Sequence, residues 1–397
     1  MKPTASAIVH PRIADPCFLI TNSLLVTPER VIDHGSLQVV NGRIVAIQEG
    51  RMAGEGPVID AAGAMLIPGL VDIHSDANEK AIHPRPRAHF PVSLALQELD
   101  KVMASCGVTS IYHCVAFSNG QKGLRATQAA NSLIQTIRKC QEHLLCRTYI
   151  HLRYDITLMD AMPLVSHLID EGMVQLFSYM DHTPGQGQFA TYEAFRDYLG
   201  RHHQYSDEEV RAVVIKRIAD RASVNDEDLE KLGRRCRDRG IPLASHDDDT
   251  PEKVRRLHAM GVAISEFPVS LSAAREANRM GMRVAMGAPN LLMGKSTNAN
   301  LTAEETAREG LLDIVCSDYA PMTMLHAAMK LYRSELMTLP QAIARFTLKP
   351  AEAAGIADDT GSLSVGKSAD MVLVDLEAPI PRIRKTFVAG RQVYGAL

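Results

Sequence analysis

The sequence predicts an α/β protein: a (β/α)8 barrel of the TIM type over residues 67–350, with a small β-sandwich-like domain built from residues 1–66 and 351–397. Three observations carry this. The middle of the chain alternates eight short apolar runs with amphipathic helical patterns, both ends carry alternating β-branched strands around tight turns, and imidazole or carboxylate groups follow most of the apolar runs. Pattern alone also admits an open doubly wound sheet, but eight strand–helix units favour closure.

The elements follow in order. Phe18-Leu-Ile, Ser36-Leu-Gln-Val-Val and Arg43-Ile-Val-Ala-Ile read as strands, with Asn41-Gly42 as a two-residue hairpin turn between the last two. Barrel strands are expected at 70–73, 108–112, 148–152, 174–179, 241–245, 262–266, 283–286 and 312–316. Helical patterns lie at 93–105, 122–144, 208–239, 251–260, 271–280, 302–309 and 324–335. Asp370-Met-Val-Leu-Val-Asp, Ile383-Arg-Lys-Thr-Phe-Val and Ala389-Gly-Arg-Gln-Val-Tyr return to strand texture. Two β-rich ends around a different middle suggest that both termini build one domain.

Composition narrows the function. The 397 residues are 46% hydrophobic and 22% charged, an ordinary globular balance, and 43 basic against 46 acidic side chains give a net charge of −3. That argues against general nucleic-acid binding, which needs a clustered basic footprint. No run approaches the ~18 apolar residues that span a bilayer, and no apolar signal-peptide core is present. Seven scattered cysteines without a CxxC pair read as reduced thiols of a cytoplasmic protein.

In a parallel barrel, functional side chains project from the C-terminal ends of the strands. His74-Ser75-Asp76 follows the first run, His151 and Asp155 the third, Asp181-His182 the fourth, His246-Asp247-Asp248-Asp249 the fifth, and Asp318 the last. Nitrogen and oxygen donors of this kind suit a divalent ion: zinc first, with manganese or iron also suited. Within these strings Asp249, with Asp248, reads as the cap of the helix opened by Pro251, and Asp181 as a group that orients an imidazole. His202, His203 and His258 read as solvated, and His113 as a residue outside the site.

Weaker signals concern anions. Gly185-Gln-Gly187-Gln-Phe-Ala190 fits a dinucleotide string, yet no strand leads into it, so a substrate loop is the better reading. The stretch Gly287 to Ser296 lacks P-loop spacing, but Lys295 and Ser296 could present donors to an anion. His83-Pro-Arg85-Pro-Arg87 is stiffened by its prolines, and two oriented guanidinium groups suit a phosphate-bearing substrate.

At Pro68-Gly69-Leu70-Val71-Asp72-Ile73-His74 the chain resembles the amidohydrolase superfamily, and within it the PhnM family of the carbon–phosphorus lyase pathway. The matching strings include His74-Ser-Asp76-Ala-Asn-Glu-Lys80, Pro84-Arg-Pro-Arg87, Met180-Asp-His182-Thr-Pro-Gly-Gln, Ala244-Ser-His246-Asp-Asp, Met286-Gly-Ala-Pro-Asn290, Ser317-Asp318-Tyr319 and Gly366-Lys-Ser-Ala-Asp370. They keep their order over nearly the whole chain; residues 1–16 are an unmatched extension.

The resemblance implies a hydrolase that cuts α-D-ribose 1-methylphosphonate 5-triphosphate, or a close 5-triphosphate, to the 5-phosphate and diphosphate with one or two divalent ions. The superfamily's usual His-x-His is His74-x-Asp76 here, and no lysine between Lys139 and Lys216 can supply the bridging carbamate of the fourth strand, so Asp155 is placed in that role. The implied ligands are His74, Asp76, Asp155, His182, His246 and Asp318, with Asp318 also the proton acceptor. The implied substrate contacts are Lys80, Arg85, Arg87, Asn290, Lys295 and Ser296. Partners are then a small phosphorylated ribose and further copies of the chain. Two alternatives stay open: a C–N amidohydrolase (cyclic amidase, deaminase or deacetylase) and a metal-free scaffold.

Overall fold

The computed structural model describes residues 16–118, 123–187, 193, 195–196, 206–296, 300–377 and 380–396. Residues 1–15 of the extension, His202, His203 and the end of the Gly185–Ala190 string lie outside the described residues.

Five strands precede the barrel: β1 (Phe18–Val26), β2 (Val31–Val40), β3 (Arg43–Glu49), β4 (Val58–Asp60) and β5 (Met65–Pro68). Asn41 and Gly42 turn β2 into β3 with φ of 51° and 73°, the pair of left-handed residues that matches hairpin twist. Val40 accordingly pairs with Arg43.

The barrel strands are β6 (Leu70–Ser75), β7 (Val108–Phe117), β8 (Arg147–Asp155), β9 (Leu176–Met180), β10 (Leu243–His246), β11 (Ile264–Glu266), β12 (Arg283–Gly287) and β13 (Ile314–Cys316). All neighbours are parallel, in chain order from β6 to β13, and each overlaps one of the eight expected runs. The sheet closes between β13 and β6 in two steps. At the mouth, Asp76 donates its N–H to the Asp318 carbonyl at 2.6 Å and Asp318 donates to the His74 carbonyl at 3.0 Å. Lower down, residues 345 and 346 wedge between the strands, their carbonyls accepting from Val315 and Val71 at 2.9 Å.

Strands β14 (Met371–Asp375), β15 (Arg382–Val388) and β16 (Arg391–Gly395) complete the first sheet, whose order is β16-β15-β14-β5-β1-β2-β3, with β4 beside β1. Both termini thus share one sheet, mostly antiparallel, because β14 pairs with β5. It folds over one apolar core in which Phe18 stacks on Phe387 at 5.4 Å. The backbone of 366–367 pairs with Ile44 along β3, so the sandwich-like look comes from a single continuous sheet.

Val71, Ile73, Tyr112, Leu176, Ala244, Ile264, Ala285 and Ile314 fill the barrel axis, and the helix Leu348–Ala353 brings Ala351 against them at the floor. Burying each large apolar side chain contributes about 1.5–3 kcal/mol. Gly69 marks a close approach: a Cβ there would sit 2.1 Å from Thr109 Oγ1. The helical stretch expected over 208–239 is two helices, Asp207–Ala222 and Asp226–Arg237, because the Asn225 side chain accepts the Glu227 N–H and caps the second. The helices Ala77–Ile82, Met162–Asp170, Ala288–Met293, Leu339–Ala344 and Leu348–Ala353 were not expected; all have fewer than ten residues, too short for a clear helical period.

Candidate metal centre

Six strand ends deliver polar groups to the mouth. The register of β6 slips between Asp72 and Ser75, which interrupts the in–out alternation as a bulge does. The His74 ring lies against the rings of His151 (5.2 Å) and His246 (5.5 Å). Arg153 comes from β8, His182 follows β9, His246 ends β10, Glu266 ends β11, and Asp318 follows β13. Asp247, Phe267 and Asp318, each just past a strand, have φ of 54°, 52° and 56°. Such left-handed non-glycine residues cost roughly 1–2 kcal/mol each.

Among the described residues, three groups of possible ligands line up along this mouth: Asp76, His74 and Asp318; His74, His246 and Glu266; His182, His246 and Asp247. Within each group the ligand atoms lie within 4.8 Å of one another. His74 Nδ1 is 3.1 Å from Glu266 Oε1, while His74 Nε2, Glu266 Oε2 and Asp247 Oδ2 are buried without a hydrogen-bond partner. Buried polar atoms are rarely left so, and open lone pairs on imidazole and carboxylate fit a divalent cation. A fourth group, His74, Cys114 and His151, fits less well, because His151 already uses both nitrogens, on the Ile73 carbonyl and Ser178 Oγ, each at 3.0 Å.

The electrostatics are divided. Burial opposes charge on Asp76, yet the Arg153 guanidinium, with His74 and Arg125, outweighs it and holds the carboxyl well below the usual range. Burial and then repulsion from Asp76 push Asp318 up to about 6. Burial works against charge on Glu266 too, but His74 and His151 keep it low. Burial, then neighbouring cationic groups, holds His182 far below the ordinary imidazole value. His246 is also lowered, first by burial.

The expected residues divide accordingly. His74, Asp76, His182, His246 and Asp318 converge; Asp155 does not belong to these groups. It shares a face of β8 with Arg153, but its Oδ1 accepts from the Thr157 N–H (3.1 Å) and Oγ1 (2.7 Å), closing a turn. Asp181 holds Thr183 (Oγ1, 2.6 Å) and Arg221 (2.7 Å) rather than an imidazole. Thr250, not Asp248 or Asp249, caps the helix at Pro251: Asp249 accepts from the Gly187 N–H at 2.8 Å and Asp248 from Ser245 Oγ at 2.6 Å. His258 is half-buried and lies outside these groups. His113 shares the outward face of β7 with Ile111 and Val115, in the layer between barrel and helices.

The centre opens into a cleft of about 270 Å³. Asn290 and Ser296 line it; Lys80, Arg85, Arg87 and Lys295 do not. Lys80 Nζ lies 4.3 Å over the ring of Tyr319, a cleft residue, and Arg85, Arg87 and Lys295 are exposed. Among the described residues, the cations that do line the cleft are Arg125, Arg153 and Arg217. Arg125 makes a two-pronged pair with Glu79 (2.9 and 3.0 Å), and Arg217 donates to the His182 carbonyl at 3.0 Å. Sequence reading missed these arginines, Glu266 and the part played by Asp247. Glu266 was within reach, since it ends the expected strand 262–266; Arg125 and Arg217 lie in helical or loop segments with no local mark.

A description of the amidohydrolase family matches residues 65–394. The chain is 34% identical over 380 residues to the α-D-ribose 1-methylphosphonate 5-triphosphate diphosphatase of Escherichia coli (strain K12), covering 95% of this chain and 100% of that protein. Its structure is similar to those of a dihydropyrimidinase from Brevibacillus agri NCHU1002 (TM-score 0.65, 14% identity, covering 96% of this chain and 95% of the other) and a Xaa-Pro dipeptidase with bound methionine (0.65, 15%, 96% and 100%). An N-acetylglucosamine-6-phosphate deacetylase from Pasteurella multocida gives 0.62 at 11% identity, covering 96% and 100%. At these identities the three structures share the fold alone.

Proposed function

The chain belongs to the amidohydrolase family and is a hydrolase, and from that premise we propose that it cleaves α-D-ribose 1-methylphosphonate 5-triphosphate to the 5-phosphate and diphosphate, a step of phosphonate breakdown. The observation that carries the reading is one cleft whose wall holds the acid–imidazole row and whose lining holds Arg125, Arg153 and Arg217. A C–N bond in an uncharged amide would not call for three guanidinium groups, whereas a triphosphate spreads negative charge over many oxygens.

The donor row suits the divalent ion typical of the family, with zinc first and manganese or iron as alternatives. The candidate ligand groups are His74, Asp76 and Asp318 at one end and His182, His246 and Asp247 at the other; Glu266 would orient His74, and Asp155 would take no part. When bound, the ion supplies positive charge to the phosphate oxygens and acidifies water. Asp318 accepts the proton of the attacking water and passes it to the departing diphosphate; a carboxyl at about 6 is mostly ionised at neutral pH and still returns the proton readily. Arg125 and Arg217 hold the phosphate chain, the first pre-aimed by Glu79. Asn290 Oδ1 accepts from the Ala303 N–H at 2.9 Å, which leaves its NH2 to donate to the ligand. Phe267, Pro268, Val269 and Met286 line the same cleft and exclude water.

The division at 1–66 and 351–397 against 67–350 belongs to this proposal, as do association into homo-oligomers and a cytoplasmic location. The seven cysteines are free thiols, and no helix among the described residues is long and apolar enough to cross a membrane. The test compares diphosphate release from the ribosyl 5-triphosphate with ammonia, amine or acid release from cyclic amides, dipeptides and N-acetyl sugars. A higher kcat/KM on any of the latter would overturn the reading.

A further inference from the structure

Arg153 stands inside the row of donors rather than beside it. Its Nη1 donates to both Asp76 oxygens, at 3.0 and 2.8 Å, and its Nη2 lies 2.9 Å from His246 Nε2. The residue is only 4% exposed. A guanidinium offers donors and no acceptor, so His246 Nε2 must turn its lone pair to Arg153, and Nδ1 of the neutral ring carries the proton. That lone pair is the one a metal ion would need. The group formed by His182, His246 and Asp247 is therefore one ligand short.

His74 is arranged the other way. Its Nδ1–H points at Glu266 Oε1 across 3.1 Å, leaving Nε2, which has no partner, to face the group it forms with Asp76 and Asp318. A carboxylate that fixes one imidazole nitrogen while the other stays open is the usual support of a metal-binding histidine. Asp76 can serve an ion and Arg153 together, since a carboxylate accepts up to about four contacts.

We propose that the Arg153 guanidinium takes the place of a second cation, so that the centre holds a single divalent ion at His74, Asp76 and Asp318. A second ion at His182 and His246 would have to displace the Nη2 of a buried, permanently charged group from His246 Nε2 and set its own charge beside that guanidinium. The inference rests on the metal-hydrolase reading above but can fail separately from it.

The experiment counts ions. Metal-stripped protein is equilibrated with zinc or manganese, desalted, and assayed for metal per chain by elemental mass spectrometry. The expected result is one ion in the unmodified protein, one in His246→Gln, none retained by His74→Gln, and two in Arg153→Met, where His246 and Asp76 are released. Two ions in the unmodified protein, loss of the ion from His246→Gln, or one ion in a folded Arg153→Met would each overturn it. Should Arg153→Met not fold, the unmodified protein and His246→Gln still decide. Diphosphate release measured on the same samples separates the two ideas: two ions with turnover refutes only the role of Arg153, and one ion without turnover refutes the substrate assignment.

Discussion

At the floor of the barrel, Asp370 accepts from Arg147 at the start of β8, from Thr360 Oγ1 at 2.6 Å and from the Ala389 N–H at 2.7 Å, while Arg147 also donates to Ser368 Oγ at 2.6 Å. Both oxygens of this buried carboxylate are engaged, and the contacts tie the two-ended sheet to the barrel. At the mouth, equally buried Glu266 and Asp247 each keep an oxygen without a hydrogen-bond partner, and the backbone leaves three strands through left-handed residues. The difference teaches how to tell the two uses of buried charge apart. A network that neutralises itself holds the structure together; one left open, on strained backbone, awaits something from outside.

The largest effect should come from the mouth. Asp318→Asn should slow diphosphate release about 10³-fold while thermal midpoints barely move; a loss under about tenfold in steady-state assays would remove Asp318 from proton transfer. At the floor the reverse is expected. Asp370→Ala leaves Arg147 buried without its partner and should cost about 3 kcal/mol in urea titrations, with turnover per folded molecule unchanged.

A pH experiment sharpens the contrast between open and closed polar groups. Burial lowers His113 to about 4, against 6.5 for an unperturbed imidazole. The unfolded chain therefore binds a proton below 6.5 that the fold refuses until about 4, and stability from this residue falls as pH drops through that window. His113→Leu should flatten the stability curve there by up to ~1.4 kcal/mol per pH unit; an unchanged slope would show that the ring is not held neutral. Asp72, raised by burial to about 6, acts with the opposite sign over part of the range, so the informative quantity is the difference between the two proteins.

Smaller effects separate cleft cations from surface ones. Arg217→Gln should raise KM for the triphosphate about tenfold, the scale of one charged hydrogen bond. Arg85→Ala and Arg87→Ala should stay within about twofold, as exposed charges do. Equal effects at both places would mean that the phosphate chain runs outside the cleft.

How far the sequence carried can be seen at particular residues. All eight barrel strands were legible, because buried parallel strands are short apolar runs bounded by turns, and so were the Asn41-Gly42 and Ala389-Gly390 hairpins. His74, His182, His246 and Asp318 were legible as strand-end polar groups that meet at one mouth. Asp155 looked equivalent, but its Oδ1 is taken by Thr157, a local contact that its position at a strand end does not reveal. Arg85 and Arg87 looked poised for phosphate because prolines stiffen them, yet stiffness says nothing about direction.

The sequence by itself determined the periodicities, hence the barrel and its companion sheet, and the chemical types gathered at the strand ends. Periodicity acts between neighbours along the chain, so it survives without knowledge of distant partners. Which cations face the cleft, which carboxylate orients His74, and where Arg153 sits between Asp76 and His246 were decided only by closure of β13 onto β6 and the docking of helices. Those contacts join residues tens to hundreds of positions apart, and their energy depends on distance and burial that no local pattern records.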